Sequence, residues 1–283
     1  KAPLDTPWTA RVDPAHPLPE HPRPDFQREA WLSLNGLWDY ALEPVDFQPM
    51  QGFVKVASMT TAPLPSKYAG RILVPFAIDA PLSGIMHVLR PQERLWYHRE
   101  FDLPAAWQGR RILLHFEASD WETSIYVNGA RVGQHRGGYD PFDFDITGQL
   151  KPGANTLHVA VWDGTEQHCQ PVGKQIMPEN RQGFRYQPTG GIWQSVWLEA
   201  VSPTSLVSVK ITPSLVGATL APTLRGSADG VTLRTTARDG GKVVATAEGP
   251  ASGPLQLAIP RPKLWTPDSP HLYDLTLELV RAG

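Results

Sequence analysis

The stretch RILLHFEASDWETSIYVNGARVGQHRGGYDPFDFDITGQLKPGANTLHVAVW, residues 111–162, decides the fold class. Apolar side chains recur at every second position in three parts of it, which begin at Ile112, Phe142 and Leu157. A period of two predicts half-buried β-strands. Asn128-Gly129 predicts a hairpin turn, because both central residues of a type I′ turn need positive φ. Closely spaced strands with no intervening helix predict an all-β sandwich or jelly roll.

On the N-terminal side, the chain is rich in proline up to about Arg23. Proline cannot sustain a helix interior or a central strand, so we expect an extended arm that lies over the first domain. Asn35-Gly36 predicts a tight turn before the next strand, which starts at Leu37.

On the C-terminal side, composition changes near Val201-Ser202-Pro203, beyond which aromatic residues become scarce. The strand pattern that follows is typical of an immunoglobulin-like sandwich. We therefore expect a jelly-roll domain with its arm over residues 1–202 and an immunoglobulin-like sandwich over 203–283. The last strand, 272–280, runs into a turn without a return strand, so we expect the second sandwich to be truncated at its C-terminal end.

Composition narrows the range of partners. The 283 residues carry a net charge of −2 without any basic block, which argues against nucleic acid and anionic membranes. No run reaches the roughly 20 apolar residues of a membrane span, and no leader opens the chain. The chain begins with Lys1, which fits a processed or engineered terminus, and a periplasmic or secreted location is favoured over a cytoplasmic one. The single Cys169 excludes an intrachain disulfide, and no pattern calls for a cofactor or metal.

Several short runs, in the same order and at matching spacing, resemble glycoside hydrolase family 2, the family of β-galactosidases, β-glucuronidases and β-mannosidases. They are HPRPDF (21–26), LNGLW (34–38), VPF (74–76), LSGI (82–85), LWYHREF (95–101), VNG (127–129), VGQH (132–135), GGY (137–139), PFDFDIT (141–147), GKQ (173–175) and TGGIWQSVWLE (189–199). PKLW (262–265) and PHLYDL (270–275) resemble the end of the family's second domain.

The resemblance implies a galactose-binding-like jelly roll, then an immunoglobulin-like domain, then a (β/α)₈ barrel that holds two catalytic glutamates. No catalytic residue is therefore expected here, and the chain is interpreted as the non-catalytic N-terminal portion of a retaining exo-glycosidase for β-linked sugars. It would brace and partly line the active site of the missing barrel. Expected partners are carbohydrate and that barrel, and a homo-oligomer stays open. The alternatives are a free-standing carbohydrate-binding module or lectin, and a structural or adhesive sandwich.

Candidate substrate-binding residues lie mainly in the long irregular stretch 164–189, because such a loop in a compact β domain is often functional. An ordinary solvated loop is the alternative. The candidates combine polar groups with aromatic side chains in loop contexts: Lys174, Gln175, Arg185, Tyr186, Trp121, Tyr139 and Asp79.

The resemblance also bears on specificity. Family β-galactosidases contact substrate through an Asn after the Val-Pro pair and an Asp before the Gly-Ile pair. The corresponding positions here are near Ala77 and Arg185, so galactose specificity is doubtful, and Arg185 could instead face an acidic sugar or a barrel carboxylate.

Other candidates have simpler interpretations. Asp140, Asp143 and Asp145 could supply calcium ligands, but a solvated strand face is favoured because six oxygen ligands are not visible. The spacing of the histidines His135, His158 and His168 does not match a zinc site. Five tryptophans in strand-like runs are assigned to the core: Trp38, Trp96, Trp162, Trp193 and Trp197.

Overall fold

A computed structural model describes residues 6–49 and 58–281 of the chain. The chain forms two compact units, Lys1–Ala200 and Val201–Gly283. Within the described residues all helices are single 3₁₀ turns. They span Thr9–Arg11, Pro81–Ser83, Ala105–Trp107, Thr147–Gln149, Thr165–Gln167 and Pro178–Asn180. None of these helices has the length and apolar content needed to span a bilayer.

The first unit is a two-sheet sandwich, as the alternation predicted. Its strands are β1 (Trp31–Ser33), β2 (Gly36–Pro44), β3 (Gly70–Val74), β4 (Glu93–Phe101), β5 (Arg111–Phe116), β6 (Ser119–Asp120), β7 (Glu122–Val127), β8 (Ala130–Arg136), β9 (Phe142–Asp145), β10 (Asn155–Trp162), β11 (Gly191–Ile192) and β12 (Val196–Val201). One sheet has the order β1-β12-β5-β9, the other β3-β2-β4-β10-β7-β8, and β11 pairs with β6. Every pair in the six-stranded sheet is antiparallel.

The core of this unit lies between the two large sheets. Ile112, Leu114 and Phe116 of β5 are buried there, on the face that the sequence assigned to them. Leu95 and Tyr97 of β4 are buried against them from the opposite sheet. Burying one large apolar side chain contributes roughly 1.5–3 kcal/mol, so this layer is the main source of stability.

The outer face of the four-stranded sheet is covered by the N-terminal arm, and so its polar residues are buried. His115 stacks on Trp197 with ring centroids 4.0 Å apart. The arm contributes Arg23, whose Nε donates to Glu117 Oε1 at 3.0 Å, and Arg28, whose Nη1 donates to a Glu199 carboxylate oxygen at 2.6 Å. The extended arm was predicted from its prolines, but the ion pairs that hold it were not.

Two side chains join β2 and β4 to the segment before β12. Asn35, which the sequence placed in a tight turn, is buried instead: its Nδ2 donates to Ser195 Oγ at 3.0 Å, and its Oδ1 accepts from the Val196 N–H at 3.0 Å. The Tyr97 hydroxyl accepts from the Ile192 N–H at 3.0 Å. The turn prediction was therefore wrong, because Asn is equally suited to bonding a backbone across the sandwich.

The second unit is also an antiparallel sandwich. Its strands are β13 (Ser205–Ser214), β14 (Gly217–Arg225), β15 (Val231–Asp239), β16 (Lys242–Pro250), β17 (Leu255–Ala258) and β18 (Asp274–Arg281). They form two three-stranded sheets, β13-β14-β17 and β16-β15-β18, with Leu220, Leu233 and Leu257 buried. The prediction of an all-β chain with a jelly roll and an immunoglobulin-like sandwich is confirmed. Among the described strands, β18 pairs with β15 alone.

Replacing Tyr97 by Phe tests the bond between β4 and the Ile192 backbone. The substitution leaves the buried Ile192 N–H without an acceptor, which should lower the free energy of unfolding by roughly 1–3 kcal/mol. Urea denaturation followed by tryptophan fluorescence measures this as a lower midpoint at an unchanged slope. Tyr40→Phe is the matched control. Tyr40, on β2, is the cross-strand neighbour of Tyr97, and its hydroxyl bonds no described residue. Equal losses in the two variants would contradict the role of the Tyr97 hydroxyl.

Candidate functional site

Three aspartates approach one another at one end of the first sandwich. Asp120 ends β6, Asp163 follows β10, and Asp79 lies after β3. Asp120 and Asp163 are only 3% and 1% exposed, and Asp79 is half-buried. We call these three residues the carboxylate corner.

Burial makes the charged form of each corner carboxyl unfavourable. Desolvation, with the charge of Asp163 adding to it, raises the pKa of Asp120 to about 7, although the Gln175 hydrogen bond acts in the opposite direction. Desolvation also raises the pKa of Asp163, against hydrogen bonds from Thr165 and Gln170. The pKa of Asp79 is raised by desolvation as well. The corner therefore takes up protons more readily than surface carboxylates do.

Hydrogen bonds connect the corner to both ends of the 164–189 loop, and Gln175 makes the connection at the C-terminal end. Its Nε2 donates to Asp120 Oδ2 at 2.9 Å, and its Oε1 accepts from the Thr189 N–H at 2.6 Å. The next N–H, of Gly190, donates to Asp79 Oδ1 at 3.2 Å. At the other end, Asp163 Oδ1 accepts from the Thr165 N–H at 2.7 Å. The loop is thus held at both ends by corner carboxylates.

The 164–189 loop is more ordered than its sequence suggested. Glu166 accepts from the Met177 N–H at 3.1 Å and from Asn180 Nδ2 at 2.9 Å, while Met177 itself is buried. Gln175 and Tyr186 form a parallel β-bridge. A long loop with its own internal hydrogen bonds is typical of binding loops, because it can present side chains in fixed positions.

The loop presents a cation and two aromatic rings to the surface. Lys174 Nζ lies 5.9 Å from the ring centroids of both Phe184 and Tyr186. Phe184 and Tyr186 are 70% and 57% exposed. Between them in sequence, Arg185 is half-buried, and its guanidinium makes no hydrogen bond or ion pair within the described part of the chain.

Trp121 and Tyr139 lie beside Asp120. Trp121 follows it directly, and its buried Nε1 has no hydrogen-bond partner among the described residues. Gly138, just before Tyr139, packs so closely on Asp120 that an added Cβ would lie 2.6 Å from the carboxyl carbon. Tyr139 is exposed and packs edge-on against Trp193 at 5.5 Å between ring centroids.

Of the seven predicted site residues, Asp79 belongs to the corner and four lie in the loop, namely Lys174, Gln175, Arg185 and Tyr186. Trp121 and Tyr139 directly follow Asp120 and Gly138 in the chain. Asp120 and Asp163, on which that arrangement depends, were not among the predicted site residues. Their only signal was a polar residue at the end of an alternating strand, which does not distinguish a buried carboxylate from an exposed one. Trp193 was assigned to the core but is half-buried outside the strands, because its Nε1 is held by Gly138 O at 2.8 Å. The other four tryptophans of that set are buried.

The alternative candidates have structural partners. Asp145 ion-pairs with Arg111 at 3.1 Å and accepts from the Thr147 hydroxyl at 2.5 Å. His158 bonds the Tyr68 hydroxyl at 2.9 Å, and His135 stacks on Phe142 at 4.1 Å. Within residues 6–49 and 58–281, no three His, Cys, Asp or Glu side chains are arranged to hold a metal ion.

Comparison with known families identifies the class of protein. Residues 31–200 match the model described as "Glycosyl hydrolases family 2, sugar binding domain". Residues 200–283 match the model described as "Glycosyl hydrolases family 2". The chain belongs to glycosyl hydrolase family 2 and carries the sugar-binding domain of that family and the β-sandwich that follows it.

Its relatives are longer proteins. A β-galactosidase of Thermoanaerobacter pseudethanolicus is 30% identical over 201 residues, which are 65% of this chain and 26% of that protein. A β-glucuronidase of Paenibacillus borealis is 27% identical over 281 residues, 92% of this chain and 44% of that protein. The solved Lactobacillus rhamnosus β-glucuronidase shares the fold, with a TM-score of 0.64 at 24% identity over 90% of this chain and 42% of that chain. The chain spans less than half the length of these relatives.

Asp120→Asn tests the electrostatics of the corner. Because the folded pKa of about 7 lies above the usual value of 3.8, the contribution of Asp120 to stability is full below the usual value and is lost as the pH rises through about 7. In the Asp120→Asn variant the side chain is a neutral amide at every pH, so its contribution to stability does not change with pH. We therefore expect the free energy of unfolding of the variant, relative to the original chain, to rise by roughly 1–4 kcal/mol between pH 3.5 and pH 8.

This difference is measured by urea denaturation of both proteins across the pH range. Comparing proteins is necessary because burial lowers the pKa of His158 to about 4, which makes the original chain lose stability as the pH falls. Asp102→Asn, at an exposed residue that bonds no described side chain, is the control and should give a constant difference. If the free energy of unfolding changed with pH in the same way for Asp120→Asn and the original chain, the raised pKa of Asp120 would be refuted.

Proposed function

We propose that this chain is the non-catalytic N-terminal portion of a retaining exo-glycosidase acting on β-linked sugars. In this proposal the first sandwich braces a (β/α)₈ barrel and partly lines its active site. The observation that carries it is the 164–189 loop, which presents polar and aromatic groups from a rigid attachment at the carboxylate corner. Relatives more than twice as long that are named β-galactosidase and β-glucuronidase support it.

The rigid attachment matters because a binding group is most effective when its position is fixed before the ligand arrives. Gln175 ties Thr189, at the end of the segment that carries Lys174, Arg185 and Tyr186, to Asp120. Tyr186 is fixed through its backbone, which donates to Lys174 O at 2.9 Å and accepts from the Ile176 N–H at 3.0 Å. Ring faces and charged donors of this kind suit the C–H faces, hydroxyls and carboxylates of sugars.

The corner carboxylates do not suit catalysis by the chain itself. A retaining glycosidase needs two carboxyls about 5–5.5 Å apart on either side of an accessible glycosidic bond. Asp120 and Asp163 are almost fully buried, and Asp163 accepts three hydrogen bonds from Thr165 and Gln170. Their role is therefore to hold the loop, and turnover is assigned to the barrel.

Arg185 supports an acidic substrate. A half-buried guanidinium without a carboxylate partner is costly, and a bidentate pair with a sugar carboxylate would compensate it. The substrate class proposed is therefore uronic acids rather than galactosides. The name of the Paenibacillus borealis relative, β-glucuronidase, is consistent with this proposal.

The second candidate is a free-standing carbohydrate-binding module. The exposed aromatic residues Tyr139, Phe184 and Tyr186 favour it, since exposed rings are typical of sugar-binding surfaces. The two candidates differ in where affinity resides. Calorimetry of the chain with glucuronic acid separates them: a module would bind at micromolar to millimolar Kd through these rings, roughly −8 to −4 kcal/mol, whereas a bracing domain would not.

Hydrolysis assays test the assignment of turnover. The 283-residue chain should not cleave aryl β-glucuronides or β-galactosides, whereas the product of the full gene should. The measurement is release of the aryl alcohol at equal protein concentrations. Cleavage by the chain that is lost on replacing one of its own carboxylates, such as Asp120→Asn, would overturn the proposal.

Arg185→Ala in the full gene product tests the substrate class. Losing a charge-assisted pair costs roughly 1.5–3 kcal/mol, so kcat/KM for a β-glucuronide should fall about 10–100-fold while the value for the neutral β-glucoside stays within about threefold. Arg181→Ala is the matched control, because Arg181 is exposed in the same loop and its side chain bonds no described residue. An unchanged ranking of the two substrates in Arg185→Ala would remove the assignment to Arg185.

A further inference from the structure

A second candidate site lies away from the 164–189 loop, between the N-terminal arm and the segment that follows β11. It is an open groove of about 410 Å³, within the range of ligand sites. We call it the Trp193 groove and define it by six of its lining residues, Glu20, His21, Gln27, Glu117, Trp193 and Gln194. No residue of the 164–189 loop lines it.

The walls of the groove are fixed by contacts that need no ligand. The Trp193 indole N–H donates to Gly138 O at 2.8 Å, and the edge-on Tyr139 ring supports the indole at 5.5 Å. Opposite it, His21 packs edge-on against Trp197 at 5.1 Å. Arg23 ties the same part of the arm to Glu117. A half-buried, immobile indole loses little entropy when a ring packs on it.

The polar groups of the groove have unused hydrogen-bonding capacity. The side chains of Glu20, Gln27 and Gln194 make no hydrogen bond within the described part of the chain. Glu117 Oε1 accepts from both Arg23 and Trp197, and its Oε2 has no hydrogen-bond partner among residues 6–49 and 58–281. Amides offer donors and acceptors side by side, and carboxylates accept, which matches hydroxyl groups that do both.

The charge of the groove selects among sugars. Glu117 is neutralised by its ion pair with Arg23, so the unpaired negative charge among the lining residues is that of Glu20. His21 adds no positive charge, because burial lowers its pKa and its Nδ1 accepts from the Arg23 N–H at 3.0 Å. A sugar carboxylate would be repelled here, whereas neutral hydroxyls would not.

We propose that the Trp193 groove is a second carbohydrate site that binds a neutral pyranose through the Trp193 ring, the amides of Gln194 and Gln27, and Glu117. It is independent of the proposed function, because it needs neither the barrel nor Arg185. It differs from the loop in charge preference, so the same chain presents one surface for acidic sugars and another for neutral ones.

Titration calorimetry of the 283-residue chain with methyl β-glucoside, methyl β-galactoside and glucuronic acid tests this site. At least one neutral glycoside should bind with Kd of about 10 mM or tighter, and glucuronic acid should bind at least about fivefold more weakly. Gln194→Ala should weaken the neutral sugar about 2–10-fold, the value expected for one hydrogen bond. Gln27→Ala should act in the same direction.

Two further variants separate the groove from the loop and from folding defects. Trp193→Phe keeps a ring but loses the bond to Gly138, so far-ultraviolet circular dichroism and the urea midpoint are recorded with it, and it should still bind more weakly when folded. Arg185→Ala should leave neutral-sugar binding unchanged. The proposal is overturned by absence of neutral-sugar binding at 50 mM. It is equally overturned by binding that Gln194→Ala and Gln27→Ala do not affect, or that Arg185→Ala abolishes.

Discussion

The structure of the first sandwich depends on satisfying the backbone N–H groups of one segment, residues 189–196. This segment crosses the end of the sandwich, where regular strand pairing does not supply every acceptor, and a buried N–H without a partner costs roughly 1–3 kcal/mol. Four of its N–H groups are therefore taken by side chains. The pairs are Thr189 with Gln175 at 2.6 Å, Gly190 with Asp79 at 3.2 Å, Ile192 with Tyr97 at 3.0 Å and Val196 with Asn35 at 3.0 Å.

Each of those acceptors comes from a different part of the fold, so the segment fixes their relative positions. Asn35 directly precedes β2 and Tyr97 belongs to β4, and their bonds to this segment secure the two sheets against each other. Gly191 is required at the crossing, since its φ is +83° and an added Cβ would lie 2.2 Å from the Tyr97 hydroxyl. The Tyr97 hydroxyl can approach the backbone here because residue 191 has no side chain.

The same segment links the fold to the site. Gln175 accepts from Thr189 with one end of its amide and donates to Asp120 with the other. An amide side chain can serve both partners, whereas a carboxylate has no donor at neutral pH and an ammonium has no acceptor. Packing that buries the aspartates also positions the loop with Lys174, Arg185 and Tyr186. Stability and the proposed recognition of sugars therefore depend on shared contacts.

The two surfaces of the sandwich differ in the charge they leave unpaired. The loop carries Arg185 without a carboxylate partner in the described residues, whereas the Trp193 groove carries carboxylates and amides with unused capacity. Trp193, which lines the groove, donates to Gly138 O, and Gly138 packs on Asp120. Both surfaces are thus built on the rigid end of one sandwich, where loops can vary without disturbing the core.

The sequence by itself determined the strands, the all-β class and the family. Apolar residues recur at every second position in β5, β9 and β10, and this alternation predicts which side chains face the core. It can be read from the sequence because a period of two involves only neighbouring residues. The run TGGIWQSVWLE and the other short runs resembled glycoside hydrolase family 2, and the matches to the family models show that the chain belongs to it.

Only the tertiary structure decided how the site is built. Asp120 and Gln175 are 55 residues apart, and nothing near either residue indicates that they bond. The sequence around Asn35 resembled a turn, and that around Trp193 resembled a core strand. In the folded chain Asn35 bonds Ser195 and Trp193 bonds Gly138, and neither bond could be predicted from neighbouring residues. Local pattern records burial, whereas a hydrogen bond between distant residues depends on how the sheets bring them together, which no local pattern contains.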